Sequence, residues 1–217
     1  MADVHIVWDW NGTLLADLPG VLRAVSRSVG KYGLPPVGGD DYRNHFTRPV
    51  RRFYDNLFDR PVTDMEWVDL NKTFHDYYYE VVDDISLATG AEESLQAAAG
   101  LGWGQSLLSM STQEHLISTV RAHGIDTYFR RIDGLESPDG GLKEAYLEKH
   151  LAAMQVDPGS VWLIGDTPDD HDAAVAVGAR VVLFDGGSHH RSTLEALGAP
   201  VVNSLNEGVE YIGGRNR

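Results

Sequence analysis

Short apolar runs and helical segments alternate in strict order from Ala91 to the end of the chain. The apolar runs are QSLLSMS, VWLIGD, ARVVLFDGG and PVVNS. The helical segments are QEHLISTVRAHG, KEAYLEKHLAAM, DDHDAAVAVG and RSTLEALG. This alternation predicts right-handed β–α–β units, and therefore a parallel sheet with helices on both faces. The stretch HIVWDW near the N-terminus has the same buried composition and is expected to join this sheet.

Residues 17–88 differ, because their apolar side chains recur only at helical spacing. In LPGVLRAVSRSVGKYG the spacing of Leu18, Leu22, Val25 and Val29 predicts an amphipathic helix. Two further segments, TRPVRRFYDNLF and DMEWVDLNKTFHDYYYEVV, have the same periodicity, and turn-forming stretches precede them. We therefore predict an α/β fold: a Rossmann-like parallel sheet core, residues 1–16 and 89–217, with an α-helical subdomain, residues 17–88, inserted after the first strand.

Composition narrows the possible partners. The chain has 217 residues, 42% hydrophobic, which suffices for one large core and an accessory subdomain. It has no cysteine, so thiolate catalysis and zinc–thiolate sites are excluded. A formal charge of −14 argues against nucleic acid as a partner. No apolar stretch approaches the roughly 20 residues that span a bilayer, so we expect no membrane partner and a cytoplasmic protein, as monomer or homodimer.

Polar side chains follow several of the predicted strands. In a parallel sheet of this kind, ligands bind beyond the carboxyl ends of the strands. Asp9 ends HIVW, Ser109 ends QSLL, and Lys143 opens a helix after the loop SPDGGL. The strand VWLIG ends in a group of acids: Asp166, Asp169, Asp170 and Asp172. These groups are expected to converge in one crevice.

The types of these residues indicate phosphate chemistry. Neighbouring carboxylates repel one another unless a cation lies between them, and oxygen ligands without His or Cys suit Mg²⁺. Asp9 and Asp166 are the best pair of ligands, with Asp9 also the nucleophile that would form an aspartyl-phosphate. Lys143, the Ser109 hydroxyl and the backbone amides around Gly12 would bind the phosphoryl oxygens. The expected partner is a small phosphorylated metabolite.

Four motifs in this order resemble the haloacid dehalogenase superfamily, in its phosphoglycolate-phosphatase-like branch. The first, Asp-x-Asp-x-Thr, is matched by Asp9, Asn11 and Thr13 with one departure; Ser109 and Lys143 match the second and third; and Gly165, Asp166 and Asp170 match the fourth. The resemblance covers essentially the whole chain and implies that the helical insertion is a cap domain. It also implies the roles of the matched residues. The implied catalytic residues are Asp9, Asn11 and Lys143. The implied phosphate-binding residues are Gly12, Thr13, Ser109 and Lys143. The implied metal ligands are Asp9, the Asn11 carbonyl, Asp166 and Asp170.

Asn11 departs from the motif where phosphatases of the family have a second aspartate. That aspartate protonates the leaving oxygen and later activates water, and an amide can do neither. Since such acid–base help is typically worth ~100-fold to ~10,000-fold, turnover should be slow or confined to good leaving groups such as acyl or aryl phosphates. Two alternatives are a phosphorylated-ligand binding protein with impaired catalysis, and deamidation of the Asn11–Gly12 dipeptide to restore the motif. A metal-independent dehalogenase, which needs no leaving-group acid, is a further alternative.

Several residues near these motifs are expected to have structural instead of catalytic roles. Ser111 competes with Ser109 for the second motif, while Asp169 and Asp172 suit helix capping or the helix dipole. His171 has no second histidine at ligand spacing, so a surface position is expected. In a phosphonatase a cap lysine forms a Schiff base, but Lys31 lies near a helix end and fits that role poorly.

The predicted cap contains the one dense basic stretch of the sequence, YRNHFTRPVRRFYDNL. Its residues His45, Arg48, Arg51 and Arg52 can hold an anionic group of a substrate, because guanidinium binds carboxylate in a fork. The alternative is an exposed basic helix face.

Overall fold

The structure is a computed structural model that describes residues 4–136 and 141–216, except the side chain of Asp83. The chain divides into two compact units. The first, called the sheet unit, comprises the described residues up to Ala16 and those from Leu87 onward. The second, called the helical unit, comprises Asp17–Ser86.

The sheet unit is built on one parallel sheet. Among the described residues it has six strands: β1 His5–Trp8, β2 Gly104–Thr112, β3 Ile132–Leu135, β4 Val161–Gly165, β5 Arg180–Phe184 and β6 Val201–Val202. Their order across the sheet is β3-β2-β1-β4-β5-β6. β1 and β4 are central and buried along their whole length, which agrees with their nearly continuous apolar sequences. The strand order reverses between β1 and β4, the point at which such sheets bind ligands.

Helices cover both faces of this sheet. They are α5 Ala91–Gly100, α6 Gln113–Ala122, α7 Lys143–Met154, α8 Pro168–Val177, α9 Arg191–Glu195 and α10 Leu205–Arg215. On one face, α7 and α8 pack on Val7, Leu108 and Leu163. Side chains alternate along a strand, so Ile164 points to the other face, where it approaches Gly208 of α10. The sheet that carries the residues at this edge is therefore packed on both faces.

The helical unit comprises α1 Leu18–Gly30, α2 Gly39–His45, α3 Val50–Phe58 and α4 Asp64–Val81, followed by a 3-10 turn at Val82–Asp84. Its core is aromatic and aliphatic: Val25, Val29, Val37, Tyr42, Phe53, Tyr54, Val62 and Leu70. A capping box begins α4, in which Glu66 N–H donates to Thr63 Oγ1 and Thr63 N–H donates to Glu66. The unit therefore has a hydrophobic core of its own.

The structure differs from the sequence prediction at several elements. Leu87 and Ala88 were assigned to the insertion but belong to the sheet unit, where Leu87 bridges Leu15 and Ala88 N–H donates to Leu14. Helices α2, α5 and α10 and strand β3 were not predicted. Of the loop SPDGGL, residues 137–140 lie outside the described residues. No helix in the described part of the chain is long and apolar enough to cross a membrane.

Candidate active site

Two aspartates lie where the central strands end. Asp9 directly follows β1, and its N–H donates to the carbonyl of Ile164 in β4 at 2.9 Å. Asp166 directly follows β4. Because the strand order reverses between these two strands, both side chains lie at the position that favours ligand binding.

A third carboxylate completes a cluster at this edge. Asp170 lies in the first turn of α8, and one oxygen from each of Asp9, Asp166 and Asp170 lies within 4.8 Å of the others. The three residues are 7%, 0% and 1% exposed. Buried carboxylates this close repel one another and are stabilised by a cation. A set of oxygen ligands without His or Cys fits a hard divalent ion such as Mg²⁺.

Lys143 supplies part of the balancing charge. It begins α7, its side chain is 2% exposed, and its Nζ lies 2.5 Å from both Asp9 Oδ1 and Asp170 Oδ1. Burial disfavours the ammonium charge, but the carboxylates of Asp170 and Asp9 outweigh burial and raise the pKa of Lys143. When all three carboxylates are ionised, one ammonium leaves a net negative charge, so the ionised site favours a cation.

The carboxylates differ in how their charge is stabilised. Burial raises the pKa of Asp9 to about 7, although Lys143 opposes this shift. Burial, followed by the charges of Asp9 and Asp170, raises the pKa of Asp166 well above its usual value. Burial also acts on Asp170, but Lys143 and Thr167 outweigh it and lower the pKa of this carboxyl. Thus Asp9 and Asp166 are the carboxyl groups whose charge is least compensated by the protein alone.

Two loops fix the position of Asp166. Ser188 N–H donates to its Oδ2 at 2.7 Å, and the buried Thr13 hydroxyl donates to its Oδ1 at 3.3 Å. A Cβ atom on Gly12 would lie 2.5 Å from Asp166 Oδ2, and Gly12 has a φ of +75°. A Cβ on Gly187 would also collide with this carboxylate. Glycine is therefore required on both sides of Asp166.

Gly187 and Ser188, which lie in the loop after β5, are functional residues that were not predicted from the sequence. The signal that points to them is the pair of glycines in DGGSHH at the end of an apolar strand. The Thr13 hydroxyl donates to Asp166 Oδ1 in the structure, and its contact with phosphate stays a prediction.

The other acids after β4 have separate roles. Asp170 also caps its own helix, since its N–H donates to Thr167 Oγ1 at 3.2 Å and Thr167 N–H donates to Asp170 Oδ2 at 3.0 Å. Asp169 Oδ1 accepts from the backbone N–H of Lys143 at 3.4 Å. Asp172 is exposed and lies 2.8 Å from His171 Nδ1. Of these acids, the structure brings only Asp170 into the carboxylate cluster of the described residues.

Asn11 lies in the turn after β1 and contacts the end of β2. Its Oδ1 accepts from Ser111 Oγ at 2.6 Å and from Ser109 Oγ at 3.3 Å. The following residue, Gly12, donates its N–H to the Leu15 carbonyl at 3.0 Å. The structure thus brings Asn11 together with both serines that the sequence offered for the second motif.

Comparison with known proteins identifies the family. A family model described as haloacid dehalogenase-like hydrolase matches residues 6–184. The chain belongs to this family. The match begins in β1 and ends with β5, so it includes every residue of the carboxylate cluster and Lys143.

Named relatives and solved structures agree with this assignment. This haloacid dehalogenase-like hydrolase is 24% identical to a phosphoglycolate phosphatase of Vibrio parahaemolyticus, over 95% of each chain. It is 26% identical to one of Pseudomonas fluorescens, over 92% of this chain and 76% of the relative. A predicted phosphatase from Clostridium acetobutylicum has a TM-score of 0.86 at 18% identity, over 98% of this chain and 99% of that one. A predicted phosphoglycolate phosphatase from Haemophilus somnus has a TM-score of 0.81 at 18% identity, with the same coverage. These structures share its fold.

The basic residues predicted to bind an anionic substrate group lie in the helical unit of this hydrolase. Arg51 pairs with Asp64 at 2.8 Å and donates to the Val62 carbonyl at 2.7 Å, so its charge is used within the unit. His45 Nδ1 lies 2.7 Å from the Asp41 carbonyl. Arg48 is half-buried and Arg52 is exposed. Their contact with a substrate stays a prediction.

Lys31, considered for a Schiff base, is also engaged within the helical unit. Its Nζ lies 2.5 Å from Asp69 Oδ1 and donates to Thr73 Oγ1 at 3.0 Å. Lys31 therefore forms a surface ion pair with Asp69 in this structure.

Proposed function

We propose that this protein is a Mg²⁺-dependent phosphatase of small phosphomonoesters that works through an aspartyl-phosphate on Asp9. The observation that carries the proposal is the buried cluster of Asp9, Asp166 and Asp170, with Lys143 at 2.5 Å from two of its members. Relatives named phosphoglycolate phosphatase support a small phosphorylated metabolite as substrate.

The proposed chemistry assigns a task to each residue. A carboxylate oxygen of Asp9 attacks phosphorus, the bond from phosphorus to the leaving oxygen breaks, and the leaving group takes the electron pair. Lys143 binds phosphoryl oxygens as charge moves onto them. The Ser109 hydroxyl and the Gly12 amide would also bind phosphoryl oxygens, in exchange for the hydrogen bonds that they donate to Asn11 Oδ1 and the Leu15 carbonyl in this structure. Water then hydrolyses the acyl phosphate and restores the Asp9 carboxylate. Thr13 keeps Asp166 oriented through its 3.3 Å hydrogen bond.

The acidic residues and one backbone carbonyl would hold the metal. Asp9, Asp166 and Asp170 lie together and would provide oxygen ligands, the type that Mg²⁺ prefers. The Asn11 carbonyl would be a further oxygen ligand. When bound, Mg²⁺ neutralises phosphoryl charge and brings the anionic substrate close to the Asp9 carboxylate.

Asn11 restricts this activity. Its amide has no proton to give to the leaving oxygen and cannot take one from water. Both steps therefore proceed without general acid–base help, a loss of roughly 100-fold to 10,000-fold. The substrates that suit such a site are those whose leaving groups depart as stable anions, such as acyl or aryl phosphates.

Asn11 also favours a second candidate, a protein that binds a phosphorylated ligand without efficient turnover. The carboxylate cluster and Lys143 are compatible with binding alone. This candidate predicts metal-dependent ligand binding with no phosphate release.

Phosphate release from an aryl and an alkyl phosphate, with Mg²⁺ or with a chelator, tests the proposal. We expect the native protein to hydrolyse the aryl ester only with Mg²⁺, and Asp9→Asn to be inactive. Asn11→Asp should hydrolyse the alkyl ester faster than the native protein does. Asp172→Asn is the matched control, because it removes an exposed carboxylate that lies outside the cluster. If the native protein and Asn11→Asp are both inert, the phosphatase proposal is wrong. Turnover of a haloacid without metal would instead support dehalogenase chemistry.

A further inference from the structure

Two serine hydroxyls hold the oxygen of the Asn11 side chain. Ser111 Oγ donates to Asn11 Oδ1 at 2.6 Å, and Ser109 Oγ donates to the same atom at 3.3 Å. The two serines are themselves linked, since Ser111 N–H donates to Ser109 Oγ at 3.1 Å. We call Ser109 and Ser111 the serine clamp.

The clamp matters because an amide, unlike a carboxylate, has two different ends. Its oxygen only accepts hydrogen bonds, and its NH2 group only donates them. With Oδ1 turned toward the two hydroxyls of β2, the orientation of the amide is fixed. The group that Asn11 can offer to a substrate oxygen is then its Nδ2, a donor.

We propose that Ser111 is a positioning residue, which orients Asn11 so that its amide donates a hydrogen bond to the leaving oxygen of the substrate. This inference rests on the proposed phosphatase function. In the step concerned, Asp9 forms a bond to phosphorus, the leaving group departs as an oxyanion with the bonding electrons, and Asn11 keeps both amide protons. The clamp thereby selects phosphates with acidic leaving groups, since the oxyanion is stabilised but not protonated.

The test compares esters whose leaving groups differ in pKa, using the native protein, Ser111→Ala and Ser111→Thr. Loss of one hydrogen bond in the transition state, worth ~1.4 kcal/mol, should lower kcat by about tenfold for poor leaving groups. The loss should be smaller for good leaving groups, KM should change little, and Ser111→Thr should retain near-native rates because it keeps the hydroxyl. Ser192→Ala, an exposed serine of α9, is the control.

A Ser111→Ala loss that is independent of the leaving group, or no loss at all, would overturn the positioning role. A native protein inert toward every ester would instead contradict the proposed phosphatase function, and the positioning role with it.

Discussion

Lys143 is the residue on which the electrostatics of the site depend most. Its ammonium lies 2.5 Å from two buried carboxylates, so removing it leaves both without their nearest positive charge. Lys143→Met should reduce the free energy of unfolding by about 3 kcal/mol at pH 8, since loss of one partner of a buried ion pair is strongly destabilising. Urea unfolding measures this.

The matched control is Lys149→Met, an exposed lysine on the same helix. It should change the unfolding free energy by less than about 0.5 kcal/mol. If both variants lose the same free energy of unfolding, the ion pairs of Lys143 contribute little to stability.

A buried hydrogen-bond network joins three strands to α7. His5 Nε2 and His150 Nε2 both lie 2.8 Å from Ser106 Oγ, and His150 Nδ1 lies 2.7 Å from Asp133 Oδ2. Burial, and then the charges of His150 and Arg130, lower the pKa of His5 to about 4. His5 is therefore neutral in the folded protein over a pH range in which it is protonated when unfolded.

The sign of the pH effect follows from linkage. Below about pH 6.5 the unfolded chain binds a proton at His5 that the folded protein does not bind until about pH 4. This group therefore lowers stability as the pH falls through that window, by at most about 3 kcal/mol. Carboxyls with raised pKa values, Asp9 and Asp166, act in the opposite direction. The native protein should thus lose more stability than His5→Gln between pH 6.5 and 4, and parallel stability curves would contradict the assignment.

At the scale of elements, two helices begin with a capping box made of a threonine and an acidic residue, but the two acidic residues have different partners. Thr63 and Glu66 cap α4, whereas Thr167 and Asp170 cap α8. Glu66 pairs with Arg60 in the helical unit, while Asp170 belongs to the carboxylate cluster. Helix capping and the active site therefore share one side chain in α8.

This difference gives a paired prediction. Thr63→Ala and Thr167→Ala should each reduce the free energy of unfolding by about 1 kcal/mol, through the lost cap. Only Thr167→Ala should also weaken Mg²⁺ binding, because the Thr167 hydroxyl donates to Asp170 Oδ2 at 2.6 Å. Calorimetric titration with Mg²⁺ measures the second effect. Equal Mg²⁺ affinity in the two variants would show that the cap does not position Asp170.

Some of the strands and helices could be predicted from the sequence, and others could not. The central strands are runs of apolar residues, so their ends, and with them Asp9 and Asp166, could be located from composition alone. β3 was missed because IDGL is a short edge strand with a charge and a glycine. α10 was missed because LNEGVEYIGGR contains three glycines, whose low helix propensity is overridden by packing of Leu205, Val209 and Ile212. Contacts between distant segments, such as Ser188 with Asp166, have no local signal.

At the scale of the whole molecule, metal binding should be linked to folding. A ligand that binds only the folded protein adds to the free energy of unfolding, by about 2.7 kcal/mol at 100 times its dissociation constant. Mg²⁺ should therefore raise the melting temperature of the native protein. Asp166→Asn should show little such increase, and an equal increase in both proteins would place the metal elsewhere.

Rapid acid quenching followed by mass spectrometry of the Asp9 peptide tests whether Asp9 becomes phosphorylated. Since Asn11 cannot activate water, hydrolysis of the aspartyl-phosphate should be slow, and the phosphorylated form should accumulate in a burst with an aryl or acyl phosphate and Mg²⁺. We expect a phosphoryl group on Asp9 that appears and decays with turnover, and none in Asp9→Asn. Phosphate release without a phosphoryl group on Asp9, or continued turnover by Asp9→Asn, would exclude Asp9 as the nucleophile.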